Sequence, residues 1–223
     1  MTEAGISGIG ILSAVGSDLP ETRENLWSDT PVLPKLPSRI ETALKLPVFE
    51  VTSPEKPADF PGGHPLFFLM QVVNEALHHA KLDTPGSRAG LKIGVAVGTT
   101  VACQLDNIPF HAAVRNGKVS DYRAALHYVQ GMPAEYLHKY FDFDGPAVTI
   151  SNACASGADA ALVALDWLQT GACDIAIACG TDAVSKVSFD GFNALRVCGG
   201  EPCRPFDADR KGLNLGDGAC AVI

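Results

Sequence analysis

The chain is short of most features that would assign it a role by composition alone. Aromatic residues are few, with 10 Phe, 4 Tyr and 2 Trp among 223 residues, which favours a core packed from small aliphatic side chains. The seven cysteines, at 103, 154, 173, 179, 198, 203 and 220, are odd in number and contain no C-x-x-C pair. They read as reduced thiols of a cytoplasmic protein, which argues against a disulfide framework or a zinc site. The six histidines show no H-E-x-x-H or other ligand spacing, so no metal site is expected. No basic leader opens the chain, and its apolar run over 6–15 is short and broken by glycines; neither a signal peptide nor a membrane span is read there. A formal net charge of −8 argues against nucleic acid or an anionic membrane as a general partner. An acidic partner would need a local basic patch.

Glycine (22) and alanine are plentiful, and the length suffices to bury a substantial core. A first buried strand is read over 4–12, AGISGIGIL. Its Gly8-Ile9-Gly10 lacks the third glycine of a dinucleotide loop, since Ser13 stands there. These glycines also lie inside the apolar run and not after it, so close strand packing is their expected use. A helix follows over 18–27, with Leu19, Leu26 and Trp27 as core contacts. Residues 29–63 are rich in proline and read as a surface excursion within a single domain, 1–223.

Beyond it, helix is expected over 64–80 and strand over 91–97, ending in Gly98-Thr99-Thr100. A short helix and turn over 103–117 and an interrupted helix over 121–141 come next. A strand over 174–179 closes in Gly180-Thr181-Asp182, a helix over 184–197 is placed to line a pocket, and a last strand follows Leu215-Gly216-Asp217-Gly218. This alternation specifies an open α/β layer structure with a mainly parallel sheet flanked by helices.

The most informative stretch is 146–171, PAVTISNACASGADAALVALDWLQTG. Residues 147–151 form a short β-branched run, as in a buried strand. The chain turns through small residues, and Ala158, Ala161, Leu162, Leu165 and Leu168 then recur at helical spacing as the expected buried face, with Gly171 as the terminating glycine. With the strand over 174–179 this implies parallel pairing through a right-handed crossover. Cys154 therefore sits at a strand-to-helix elbow. A helix start carries about half a positive charge, which favours a thiolate, and that is how a cysteine becomes a nucleophile. A hydrolase elbow would read G-x-[SC]-x-G, and this sequence has no glycine at either flank of that pattern.

Several stretches together resemble the N-terminal half of the β-ketoacyl synthases, the condensing enzymes of the thiolase fold. They are AGISGIGILSAVG at the start, NACASG around Cys154, GTDAVS after the following strand, FNALR at 192–196 and RPFDADRKGLNLGDGACAVI at the end. The resemblance implies an acyltransferase. Cys154 would take an acyl chain from the phosphopantetheine arm of an acyl carrier protein, and a malonyl unit on a second carrier would be decarboxylated to attack it. No cofactor is implied beyond that carried arm. The Cys154 backbone N–H would help hold the tetrahedral oxyanion.

By the same resemblance Phe192 stands beside the acyl tunnel, and Arg115, Lys118 and Arg196 stand where basic residues meet the acidic carrier. The family's usual assembly is a dimer with the strand near Cys154 at its interface. Residues 62–76 carry no Lys or Arg, a departure from relatives that use that region for the carrier. Relatives run to about twice this length, and their second half supplies the histidines that stabilise the enolate; none of the six here stands in that context. One thiolate cannot stabilise an enolate. The chain is then expected to need a C-terminal half or a second ketosynthase-like subunit. The alternative is a non-catalytic, chain-length-type partner, in which such a cysteine is usually replaced. The acyl chain length and the pathway, fatty acid, polyketide or polyene, are open from sequence.

Overall fold

The strand Ile93–Gly98 is buried at all six positions, and the sheet is built outward from it. The computed structural model describes residues 3–60, 62–101, 108–118 and 133–223. Its strands are β1 (Ile9–Ser13), β2 (Ile93–Gly98), β3 (Ala147–Ile150), β4 (Ile175–Asp182) and β5 (Gly218–Val222). Its helices are α1 (Leu19–Leu26), α2 (His64–His79), α3 (Pro85–Arg88), α4 (Ile108–Arg115), α5 (Pro133–Tyr140), α6 (Ser156–Thr170) and α7 (Lys186–Ala194). Residues 121–132 of the helix expected over 121–141, and Cys103, lie outside the described residues.

The strands form one sheet in the order β1-β5-β4-β2-β3. β2 pairs in parallel with β3 and with β4, in registers that include Gly98↔Ile150 and Gly98↔Gly180. The crossover through α6 therefore does not join neighbouring strands, as the sequence suggested: β2 lies between β3 and β4. Its run of small and β-branched residues, IGVAVG, is the one suited to burial on both faces. β3 is left at the edge, half-buried along its length.

The chain divides into two compact units. The first comprises Met1–Gly10, Lys56–Asp182 and Ala219–Ile223. Here α2 buries Phe67, Phe68, Leu69, Met70, Val72, Val73, Ala76 and Leu77, and the glycines of the N-terminal segment lie directly on its backbone. A β-carbon on Gly10 would collide with the Val72 carbonyl, and one on Gly8 with that of Ala76. These glycines serve close packing.

α6 meets the sheet through small residues. Ser156, Ala160 and Ala164 are buried, and Trp167 lies over Gly94, where a β-carbon would come within 2.9 Å of its ring. The leucines expected to be buried point elsewhere: Leu162 is 64% and Leu165 38% exposed, and Ala158 and Ala161 are exposed as well. The periodicity marked an apolar face correctly, but a different face is pressed against the sheet.

The second unit comprises Ile11–Glu55 and Ala183–Gly218. The Asp18 carboxylate caps α1 by accepting from Glu21 N at 2.8 Å. Leu26 and Trp27, expected in the core, are 67% and 85% exposed, because only Thr22 of this short helix is buried. The core gathers Val48, Val184 and Phe189, with Ile40, Leu46 and Leu215 around them. Val48 and Val51 of the proline-rich stretch are thus buried. Asp217, its side chain wholly buried, pins three segments by accepting from the Arg39 guanidinium, Val51 N and Val184 N. Ser185 and Ser188 form a capping box at the start of α7.

Candidate active site

β3 delivers the chain into a tight turn. Ala153 takes a left-handed φ of +49°, a conformation that costs a residue with a β-carbon and persists only where surroundings enforce it. A single 3-10 turn, Ala153–Ala155, follows, and α6 begins at Ser156, two residues earlier than the apolar periodicity indicated. Cys154 is in the middle of that turn and exposed. Its backbone N–H meets no acceptor among the described residues. The 15-residue helix directs the positive end of its dipole toward the turn.

Ser156 holds the turn in shape. It is 2% exposed; its Oγ accepts from Asn152 N at 2.7 Å and lies 2.7 Å from Ala153 O and 3.2 Å from Thr99 O as a donor. The Asn152 side chain donates to Asp159 Oδ2 at 2.7 Å, tying the turn to the first turn of α6. Ser151 Oγ donates to Thr100 O at 3.1 Å.

The segment following β2 is itself fixed. Thr99 N donates to Ile150 O at 3.0 Å. The Asp182 carboxylate, at the end of β4, accepts from Thr99 Oγ1 at 3.1 Å, Thr100 N at 3.0 Å and Val101 N at 3.3 Å. Gly-Thr recurs at the end of both strands, and the residues alone assign it no role. The signal was the repeated Gly-Thr, but only the register Gly98↔Gly180 shows that the two tails leave the sheet side by side.

Of the other residues singled out by sequence, Arg115 ends α4 and Lys118 follows it, both exposed and in the first unit with Cys154. Phe192, half-buried on α7, and Arg196, exposed with a φ of 58°, belong to the second unit. The remaining thiols are differently placed. Burial pushes the Cys173 thiol up and the fully buried Cys179 thiol far up, with Cys220 adding to it. Cys203 is exposed in a loop. Among the described residues no three His, Cys, Asp or Glu side chains gather as for a metal ion, and no helix is long and apolar enough to cross a membrane.

The arrangement offers an accessible sulfur, an adjacent N–H without an acceptor among the described residues and small neighbours that leave room for a bulky electrophile. Attack on a carbonyl carbon is the chemistry such a set can perform.

The family model of the β-ketoacyl synthase N-terminal domain matches residues 65–223. Nodulation protein E of Rhizobium meliloti is 37% identical over 156 residues, covering 68% of this chain and 38% of its own length. The tetracenomycin polyketide synthase ketoacyl synthase alpha subunit of Streptomyces glaucescens is 28% identical over 172 residues, 67% of this chain and 38% of its own. A ketosynthase of Xenorhabdus doucetiae, solved in complex with its chain length factor, has the same fold: TM-score 0.75, 24% identity, 97% of this chain and 56% of that one. The chain thus spans about half the length of that solved ketosynthase, and the matches cover less of the two curated relatives.

Proposed function

Because this chain belongs to the β-ketoacyl synthase family, matched through that family's N-terminal domain, we propose that it is the nucleophile-bearing part of a polyketide-type ketosynthase. Cys154 accepts the acyl chain from an acyl carrier protein, and the assembled synthase condenses that chain with a malonyl unit on a second carrier. The observation that carries this reading is the exposed Cys154 on its enforced elbow. The relatives named above, which include a polyketide synthase subunit, support the pathway class.

Condensation itself needs enolate stabilisation, which the resemblance assigns to the second half of longer relatives. The uncovered apolar face of α6, centred on Leu162 and Leu165, is where that half, continuous or separate, would pack: a helix this apolar gains nothing from water on two of its sides. The edge position of β3 suits pairing with a second copy or a ketosynthase-like subunit, and a chain length factor is the partner in one solved complex of the same fold. Arg115, Lys118 and Arg196 are exposed and available to an acidic carrier, and Phe192 is assigned to the acyl tunnel. The presence of Cys154 argues against a purely non-catalytic partner.

The test compares two exposed thiols of one molecule. Iodoacetamide at neutral pH should label Cys154 roughly tenfold faster than Cys203, as a cysteine in an activating environment does. Equal rates would favour the non-catalytic role.

A further inference from the structure

We propose that Asp182 is a positioning residue for the acyl-transfer step, acting on Cys154 through the 99–101 segment and Ser156; the inference rests on the acyl-acceptor role given to Cys154 above. The links are hydrogen bonds, with the single Ser156 hydroxyl proton shared between Ala153 O and Thr99 O. One carboxylate accepts from Thr99 Oγ1, Thr100 N and Val101 N, fixing the backbone immediately beyond β2. That backbone presents two carbonyls to the elbow: Thr99 O faces Ser156 Oγ and Thr100 O takes the Ser151 hydroxyl proton. Ser151 and Ser156 bracket the turn, and Ser156 Oγ in addition accepts from Asn152 N and donates to Ala153 O. The left-handed Ala153 and the direction of the Cys154 N–H are held from both ends by these bonds.

A carboxylate suits this position because it offers acceptors only, and two backbone N–H groups and a hydroxyl converge on it. An amide would present an NH2 group to at least one of those donors. The anion also neutralises backbone N–H groups that would otherwise have no acceptor at the end of β2.

The Cys154 thiol releases its proton to solvent, and the sulfur adds to the thioester carbonyl carbon, placing a negative charge on oxygen. Collapse restores the C=O bond and breaks the bond to the carrier's sulfur, which leaves as a thiolate and takes a proton from solvent. Only the tetrahedral stage needs an aligned N–H. Alkylation of the same sulfur by iodoacetamide is a direct displacement with no oxyanion, so it serves as an internal control.

The experiment measures both reactions of Cys154 in wild type, Asp182→Asn and Ser156→Ala: acylation by a hexanoyl-pantetheine thioester, followed by intact-protein mass spectrometry, and alkylation by iodoacetamide. Acylation should fall about 10- to 100-fold in each variant, the range for a misplaced donor, while alkylation changes no more than about twofold. Asp182→Glu, which restores the carboxylate on a longer arm, should recover part of the acylation rate. An unchanged ratio of acylation to alkylation in Asp182→Asn, or an equal loss of both reactions, overturns the positioning role. Absence of acylation in wild type would overturn the acyl-acceptor reading instead, so the two failures are distinguishable. Should Asp182→Asn not fold, Ser156→Ala and Thr99→Val carry the same comparison.

Discussion

Gly98 and Ser156 touch backbone to backbone: a β-carbon on Gly98 would lie 2.6 Å from Gly157 N and closer still to the Ser156 carbonyl. The end of the central strand is therefore the floor on which the first turn of α6 rests. Gly98→Ala should push α6 away from β2, costing about 1–3 kcal/mol of stability, as overpacking does. Denaturant unfolding measures the loss, and slower acylation of Cys154 should accompany it. An unchanged midpoint would show that the contact is looser than described.

The apolar face of α6 leads to the opposite expectation. Leu162, 64% exposed, should tolerate Leu162→Glu with a stability change within about 0.5 kcal/mol, as at an ordinary surface position. The same change should abolish association with the remaining part of the synthase, read by co-purification. Retained association would locate that contact elsewhere.

Much of this was legible in the residues and part was not. Strands β2, β3 and β4 and the helices α2 and α6 follow from apolar runs punctuated by glycine and proline. Cys154 was recognisable because a strand, a turn of small residues and a helix are written consecutively around it. The buried side of α6 was not legible: its start rests on Gly98 and Trp167 lies on Gly94, which turns Ser156, Ala160 and Ala164 inward and leaves Leu162 and Leu165 for another surface. Hydrophobicity reports that a face is apolar, not which neighbour covers it. The support given by Asp182 was hidden for a related reason: it depends on register between strands more than eighty residues apart, which no local pattern encodes.

In the second unit, Asp217 should prove the most costly single loss. Its buried carboxylate joins Arg39, Val51 and Val184. Asp217→Ala removes the acceptor of two backbone N–H groups and one of the two carboxylates beside Arg39, which keeps Glu50, and about 3–5 kcal/mol of destabilisation is expected for breaking a buried pair from one side. Limited proteolysis within residues 11–55 should accelerate correspondingly; unchanged cleavage would contradict the pin.

Glu50 gives a pH signature. Burial, the largest single influence, works to raise its pKa, but bonds from Ser38 Oγ, Ser38 N and Arg39 N, together with the Arg39 charge, outweigh it and hold the group below the ordinary glutamate range. A lowered folded-state pKa means that the contribution to stability is complete above that range and is lost as pH falls through the folded value. Wild type should therefore lose stability on acidification more steeply than Glu50→Gln, measured by thermal melts across the acidic range. Parallel curves would show that Glu50 is not held in this way.

The most direct measurement is the mass of the protein after exposure to an acyl carrier protein loaded with a short acyl chain. A single acyl adduct is predicted, mapped by peptide analysis to Cys154 and absent from Cys154→Ala. An adduct that persists in Cys154→Ala, or no adduct on the folded wild type, would contradict the assignment of this cysteine as the acyl acceptor.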